Sequence, residues 1–426
     1  MIEILKLGDE KLNKILKRSQ LDMTENASIV KEIVQDVKQN GDSALFAYTK
    51  KFDKIDLTSA SLKVTEQEID EAFETVDKKL IEVMQRSAEN IRNYHKKLVP
   101  KTWTSVENGK MLGQLIQPIS ALGIYVPGGA AAYPSSVLMS AIPAQVAGVE
   151  NIAIATPCNI SSGKIANSTL AAAKIAGIKT IYKMGGAQAI AAFAFGTETV
   201  TKVDKIVGPG NIFVALAKRE VFGYVGIDSI AGPSEVLVIA DNTANASYVA
   251  ADLLSQAEHD KLAACICITD SIELTKAINA EIEKQTAVLE RKEIIESALK
   301  DFGAIVLVKD MKEAIELANT IAPEHLELCV ENPESLLPFI KNAGAIFLGN
   351  YSPEPLGDYY AGPSHVLPTS GTARFFSPLG IDDFIKKSSL IKYSREALEA
   401  AHTDIEAFAH SEGLTAHENS IKIRFK

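Results

Sequence analysis

The stretch NIAIATPCNISSGKIANSTLAAAKIAGIKTIYKMGGAQAIAAFAFG, residues 151 to 196, decides the architecture. "NIAIATP" reads as a short apolar strand and "SGKIANSTLAAAKIAG" as a helix. "TIYKM" is a second strand, and after two glycines "AQAIAAFAFG" is a second helix. Such alternation builds mainly parallel sheets covered by helices on both faces.

The rhythm continues outward from this stretch. "KIVGPGN" (205–211) is followed by a helix through "IFVALAKREVFG" (212–223). Later strands are expected at "EVLVIAD" (235–241), "AACICITD" (263–270), "GAIVLVKD" (303–310) and "AGAIFLG" (343–349), again separated by helices. More than about eight strand–helix pairs is generous for one open sheet, so two incomplete Rossmann-like domains are expected; a (β/α)8 barrel is the competing α/β architecture. The expected division is a helical N-terminal segment over 1–20, a discontinuous first domain over 21–124 with 235–376, a second over 125–234, and a helical tail over 377–426.

The first hundred residues read mainly as helix. The segment 65–97 opens with Thr65 and Glu68 at capping-box spacing, and His95 at its basic end reads as a surface cap. The tail after residue 380 returns to helical spacing and offers little core of its own, so it must dock on its own body or on a partner chain.

Bulk properties narrow the classes. The chain has 426 residues, 46% hydrophobic and 23% charged, an ordinary globular composition. Its net charge of -10, from 54 acidic against 44 basic residues, argues against a duplex nucleic-acid partner. No run approaches the roughly 20 apolar residues of a membrane-spanning helix. The charged N-terminus lacks the apolar core of a signal peptide, so a cytoplasmic protein is expected. Four cysteines without a C-x-x-C pair give no disulfide framework, and Cys265 and Cys267 read as small core residues on one strand face.

Three Gly-rich connections stand where strands pass into helices: "GIYVPGGAAAYPSS" (123–136), "KMGGAQAI" (183–190) and "GPGNIF" (208–213). The last nearly matches G-x-G-x-x-G, with Phe213 in place of the third glycine. Helix N-termini reached through glycine attract phosphate, although each loop also serves as a plain tight turn. No Walker lysine motif is present.

Four of the seven histidines sit beside carboxylates: His259 in "QAEHD", His325 in "APEHLEL", His365 seven residues after Asp358, and His417 five after Glu412. Gln256 and His259 stand three apart and share a face if the helix continues through them. His259 also suits the plainer role of meeting the last carbonyls of its helix. A site built from Gln256, His259, Asp358 and His417 would use scattered nitrogen and oxygen donors, which suits a catalytic metal better than a closed structural one.

Nine motifs in order, "GIYVPGG", "GGAQAIAA", "GPGN", "AGPSEVL", "LLSQAEHD", "PEHLEL", "GDYYAGPSHVLPT", "GTARFFSPL" and "EGLTAHENSIKIR", resemble the histidinol dehydrogenase family. The resemblance is dense from about Ile124 to the C-terminus. It implies a cytoplasmic, homodimeric enzyme with one Zn2+ per subunit, converting L-histidinol to L-histidine with two NAD+ through histidinal. It implies Gln256, His259, Asp358 and His417 as zinc and substrate ligands, with His417 coming from the other subunit. Ser234 and Glu412 are implied as further substrate contacts, and Tyr125, Gln188 and Asn211 as NAD contacts. Glu324 and His325 are the implied acid–base pair, with His325 also touching substrate.

The runner-up is a relative in the same family that oxidises another small polar alcohol, such as a sulfonated diol. It would need different contacts at the substrate's far end. A zinc hydrolase with Glu324 as water base, or a non-catalytic binding module of two lobes, remain as readings from other classes. NAD+ binding separates the hydrolase, and tolerance of Glu324→Ala and His325→Ala separates the binding module.

Overall fold

Caps written into the sequence set the N-terminal helices. The computed structural model describes residues 2–17, 26–128 and 132–426. Strand β1 (Glu3–Leu5) leads into α1 (Glu10–Lys17), and then come α2 (Ala27–Asp53), α3 (Glu66–Thr75) and α4 (Lys78–Lys96). Glu68 N–H donates to Thr65 Oγ1 at 3.1 Å and Thr65 N–H donates to the Glu68 carboxylate at 2.8 Å, a complete capping box. The single helix expected over 65–97 breaks at Val76, because Asp77 caps a new one by accepting Lys79 N–H at 2.7 Å. His95 is no surface cap: it is 1% exposed, with Nδ1 against the Ile91 carbonyl at 2.9 Å.

Strands β2 (Trp103–Glu107) and β3 (Lys110–Pro118) follow, then β4 (Ala121–Tyr125), α5 (Pro134–Ala147), β5 (Asn151–Thr156), α6 (Asn167–Ile175), β6 (Thr180–Lys183), α7 (Gly186–Phe195), β7 (Lys205–Val207), α8 (Ile212–Val221) and β8 (Gly226–Ile227). Strands β4 to β8 form a parallel sheet in the order β6-β5-β4-β7-β8. Its central strand pairs Ile124 with Ile154 on one side and Val207 on the other. Helices α5 and α6 cover one face with α3 and α4, and α7 and α8 cover the other with α2.

The expected grouping joined 21–124 with 235–376. The helices α2 to α4 bury their apolar faces on the five-stranded sheet's helices, and the 124/125 boundary falls inside β4. Local periodicity shows that a face is apolar but not which sheet it covers. The expected break at 20/21 lies outside the described residues.

The remaining parallel elements are β9 (Glu235–Ala240), α9 (Ala246–Ala257), β10 (Ala264–Thr269), α10 (Ile272–Thr286), α11 (Lys292–Phe302), β11 (Gly303–Leu307), α12 (Met311–Ile321), β12 (His325–Cys329), β13 (Ala345–Leu348) and α13 (Glu354–Tyr359). With β1 they build a six-stranded sheet, β1-β11-β10-β9-β12-β13. Every residue of β9, β10 and β12 is buried, and apolar clusters fill both faces. Both sheets are open-edged, which makes the fold α/β with two Rossmann-like sheets and excludes the barrel. The four cysteines are buried and form no disulfide.

The chain divides into two compact units, Met1–Lys97 with Ile119–Phe384, and Leu98–Pro118 with Ile385–Lys426. The second holds β2, β3 and a strand β14 (Ile385–Tyr393), then α14 (Arg395–Glu399), α15 (His402–Ser411) and α16 (Thr415–Lys422). The tail expected to be helical from 377 instead passes through a short 3-10 turn, Ile381–Phe384, into this strand before its helices. A nine-residue antiparallel ladder, from Ile385 opposite Pro118 to Tyr393 opposite Lys110, supplies the hydrogen bonds that override local spacing. Helices α15 and α16 bury no side chain, and Phe408 stands 71% exposed. No helix among the described residues is long and apolar enough to cross a membrane.

Candidate active site

The amino ends of β9 and β12 lie side by side, with His325 in register with Val236. Two consecutive residues fasten there to the backbone of one residue, Glu235. Glu235 N–H donates to Glu324 Oε2 at 2.9 Å, and His325 Nδ1 lies 3.0 Å from the Glu235 carbonyl. A carbonyl only accepts, so Nδ1 carries the proton and the lone pair of the neutral ring sits on Nε2. That Nε2 is buried without a hydrogen-bond partner and faces Asp358 Oδ1 at 3.7 Å. Ser234 directly precedes this Glu235 peptide.

Burial disfavours a charged His325, but Glu324, Asp358 and Glu354 outweigh it and raise its pKa to about 10. That balance holds while the facing carboxylates keep their full charge; a cation on them returns the ring toward neutrality. Burial pushes Glu324 up to about 7, against the opposing pull of His325.

Helix α9 begins at Asn245, which accepts Ser247 N–H at 2.9 Å, and ends at Ala257. Gln256 is in its last turn, 1% exposed, with Oε1 lacking a partner. His259 lies in the turn beyond, its N–H donating to the Gln256 carbonyl at 3.2 Å. The two do not share a continuing helix face; the chain turns between them. Ligand atoms of His259, Glu354 and Asp358 all lie within 4.8 Å of one another. Glu354 and Asp358 are four apart on α13 and so project from one side of it. Ser87 and Asn90 of α4 hold that helix by donating to the Tyr359 and Tyr360 carbonyls at 2.7 and 2.9 Å.

The cluster's charges are poorly matched without a cation. Burial and the Asp358 charge push Glu354 up to about 8. Burial also opposes ionisation of Asp358, yet His325 and His365 hold it below the ordinary carboxylate range. Burial lowers the His259 pKa, which keeps its ring neutral and able to donate a lone pair. Neutral imidazole, carboxylate oxygen and the orphan amide oxygen of Gln256 are a donor set that fits a divalent metal.

His365 joins this cluster through Nδ1, 3.1 Å from the Asp358 carbonyl, and its Nε2 lies 3.4 Å from Ser136 Oγ at the start of α5. That contact joins the metal-type cluster to the five-stranded sheet. In that sheet the connections from β4 run one way to β5 and β6 and the other way to β7 and β8, so the strand order switches between β4 and β7. Open parallel sheets bind ligands outside the carboxyl ends at such a point. Tyr125 ends β4, and its hydroxyl accepts Gly186 N–H at 3.2 Å. Gln188, on α7, is 1% exposed with Nε2 unpartnered. Asn211 caps α8, its Oδ1 accepting Phe213 and Val214 N–H at 3.1 and 3.2 Å, which leaves Nδ2 as a donor. These groups and the N-termini of α7 and α8 suit a dinucleotide.

The structure thus gathers His259, Asp358, Glu324 and His325 within the first unit, near Gln256, and places Tyr125, Gln188 and Asn211 at the sheet's switch point. Glu412, which ends α15, and His417, on α16, belong to the second unit. Sequence reasoning missed Glu354, although its four-residue spacing from Asp358 in "EPLGD" was a signal. It noticed His365 without a role. It had no means of finding Ser136 or the Glu235 peptide, whose parts come from the tertiary fold.

A buried base beside a metal-type donor cluster, with a parallel sheet whose strand order switches where Tyr125 and Asn211 lie, fits the class of dinucleotide-dependent α/β oxidoreductases. A family model described as histidinol dehydrogenase matches residues 16–425. The chain is 56% identical over 413 residues to a histidinol dehydrogenase of Caldanaerobacter subterraneus subsp. tengcongensis, covering 97% of this chain and 96% of that one. It is 55% identical to one of Bacillus subtilis, covering 98% and 97%. Its fold matches the crystal structure of histidinol dehydrogenase from Elizabethkingia anophelis with a TM-score of 0.94 and 40% identity, over 100% of this chain and 98% of that chain. The chain belongs to the histidinol dehydrogenase family. It is accordingly an NAD-dependent oxidoreductase of histidine biosynthesis, which sets aside the hydrolase and the binding module.

Proposed function

We propose that this protein oxidises L-histidinol to L-histidine in two NAD+-dependent steps through L-histidinal, on one zinc ion per subunit. Gln256, His259 and Asp358 hold the ion, and His417 from a second copy of the chain completes the set. The observation that carries the reading is His325 Nε2, buried, unpartnered and 3.7 Å from Asp358. A buried base facing a metal-type cluster is what alcohol oxidation needs.

When bound, zinc supplies a template for the substrate's imidazole and amine nitrogens, and NAD+ supplies the hydride acceptor. His325 Nε2 takes the hydroxyl proton as hydride leaves the substrate carbon, while Nδ1 stays fixed on the Glu235 carbonyl. Glu324 draws a proton from the water that adds to the aldehyde; its pKa of about 7 suits that task at neutral pH. His325 returns the first proton to the carbonyl oxygen as that water adds. It then takes a second from the aldehyde hydrate as the second hydride leaves, and the resulting acid ionises to the carboxylate. Ser234 and Glu412 contact the substrate, Glu412 at its ammonium or imidazole. Tyr125, Gln188 and Asn211 contact NAD+. Glu354, whose carboxylate stands with the His259 ring and the Asp358 carboxylate in one cluster, would be a further oxygen donor to a bound ion.

The unburied α15–α16 pair supports a homodimer. Its groove of about 890 Å³ is lined by Phe408 and Leu414 together with Glu412 and His417. An apolar face carrying two polar groups suits delivery into another subunit's site. In this reading the protein acts in the cytoplasm.

Purified protein should reduce two NAD+ per histidinol and release histidine, and a chelator should abolish this until zinc is restored. Turnover of another alcohol with none of histidinol would overturn the proposal. A single NAD+ per histidinol with histidinal accumulating would overturn the two-step assignment.

A further inference from the structure

The turn between β7 and α8 is held by two buried charges. Lys218 on α8 has 2% of its side chain exposed and pairs with Asp228, 5% exposed, just past β8. Both converge on one glycine. Lys218 Nζ donates to the Gly208 carbonyl at 3.1 Å, and Asp228 Oδ2 accepts Gly208 N–H at 2.8 Å. Gly208 itself has φ +111, and a Cβ there would run into the Tyr125 carbonyl oxygen. The backbone of the turn is therefore pressed against the end of β4 and gripped at both of its polar groups.

Burying an ion pair is weak support for stability, since an apolar pair of similar volume serves as well or better. What these charges add is direction: they aim at the two peptide groups flanking a single residue, Gly208, three residues before Asn211. Asn211 spends its Oδ1 on capping α8, so where its Nδ2 points depends on where the turn sits. We infer that Lys218 and Asp228 are a positioning pair for NAD+, fixing Gly208 against Tyr125 and thereby the cofactor-facing edge of the turn. The inference rests on the reading that Asn211 faces NAD+.

The test is Lys218→Met/Asp228→Asn in the zinc-loaded protein, which removes both charges together and leaves no lone charge buried. The expected result is a folded protein with parental zinc content and parental KM for histidinol, but KM for NAD+ raised by about tenfold or more. A merely structural pair would lower the melting temperature and leave the NAD+ KM alone, or raise both KM values together; either outcome overturns the inference. Should the double variant fail to fold, Asp228→Asn alone, which keeps an acceptor for Gly208 N–H, is titrated with NADH by fluorescence. Weakened NADH binding there supports the inference and parental binding overturns it. Asn211→Ala is measured in parallel. If it weakens NAD+ binding while the double variant does not, the pair's role falls and the cofactor reading stands. If Asn211→Ala leaves NAD+ binding unchanged, the cofactor reading falls and the pair's role with it.

Discussion

Glu327 Oε1 accepts the backbone N–H of Glu354 at 2.8 Å and so ties the strand that begins with His325 to the helix that carries Asp358. Glu327 is 1% exposed and lies with Asp252 and Cys329, their ligand-type atoms within 4.8 Å of one another. Burial and the Asp252 charge raise the Glu327 pKa well above the ordinary carboxylate range, and burial brings Asp252 to about 6. Two buried carboxyls this close hold a proton between them.

The first prediction concerns that tie. Glu327→Ala should weaken zinc affinity by about 10- to 100-fold, as loss of an outer support does elsewhere. Glu327→Gln keeps an acceptor for Glu354 N–H and should stay close to the parent. Competition with a chelating dye measures both. Equal losses in the two variants would show that the hydrogen bond is not what matters.

Glu324 and His325 share an anchor but should divide the chemistry. His325→Ala is expected to slow the first hydride transfer by about 10² to 10⁴, the usual weight of a positioned base. Glu324→Ala should spare that step and slow the second. Single-turnover traces of NADH formation resolve the two phases. If both variants slow both phases alike, the assignment of water activation to Glu324 fails.

Asp53, at the end of α2, makes stability depend on pH. Burial raises its pKa from about 3.8 to about 6, although Gly185 N–H donates to it, and its Oδ2 is buried without a partner. Below about 3.8 the group is protonated folded and unfolded, so it has no effect. Between the two values the unfolded chain releases its proton first, so stability falls as pH rises and the full cost applies above about 6. Asp53→Asn should therefore melt higher than the parent at pH 7.5, with the gain vanishing toward pH 4. Calorimetry across that range decides it, and a gain independent of pH would exclude the titration.

The readable parts of this protein are those that act over a few residues. Thr65 and Glu68 form the capping box that their spacing announces, and the βαβα alternation yields two parallel sheets. The motifs around Gln256, His259, Glu324, His325 and Asp358 carry the family resemblance, and the matches to known relatives place the chain in that family. Less legible were the things that depend on partners distant in sequence. His95 looked like a cap because a basic helix end usually is one, yet its ring is enclosed. The segment 385–393 looked helical because a spacing pattern cannot register a ladder with residues 110–118.

What the residue order determined by itself is therefore the kind of each element and the chemistry available: apolar periods, caps, glycine turns, and imidazoles beside carboxylates, all set by neighbours along the chain. The tertiary structure alone decided that α2 to α4 cover the five-stranded sheet, that Glu354 stands with Asp358 and His259, and that Ser136 meets His365. The reason is that such relations come from packing and hydrogen bonds between distant segments, 229 residues apart for Ser136 and His365, which no local pattern encodes.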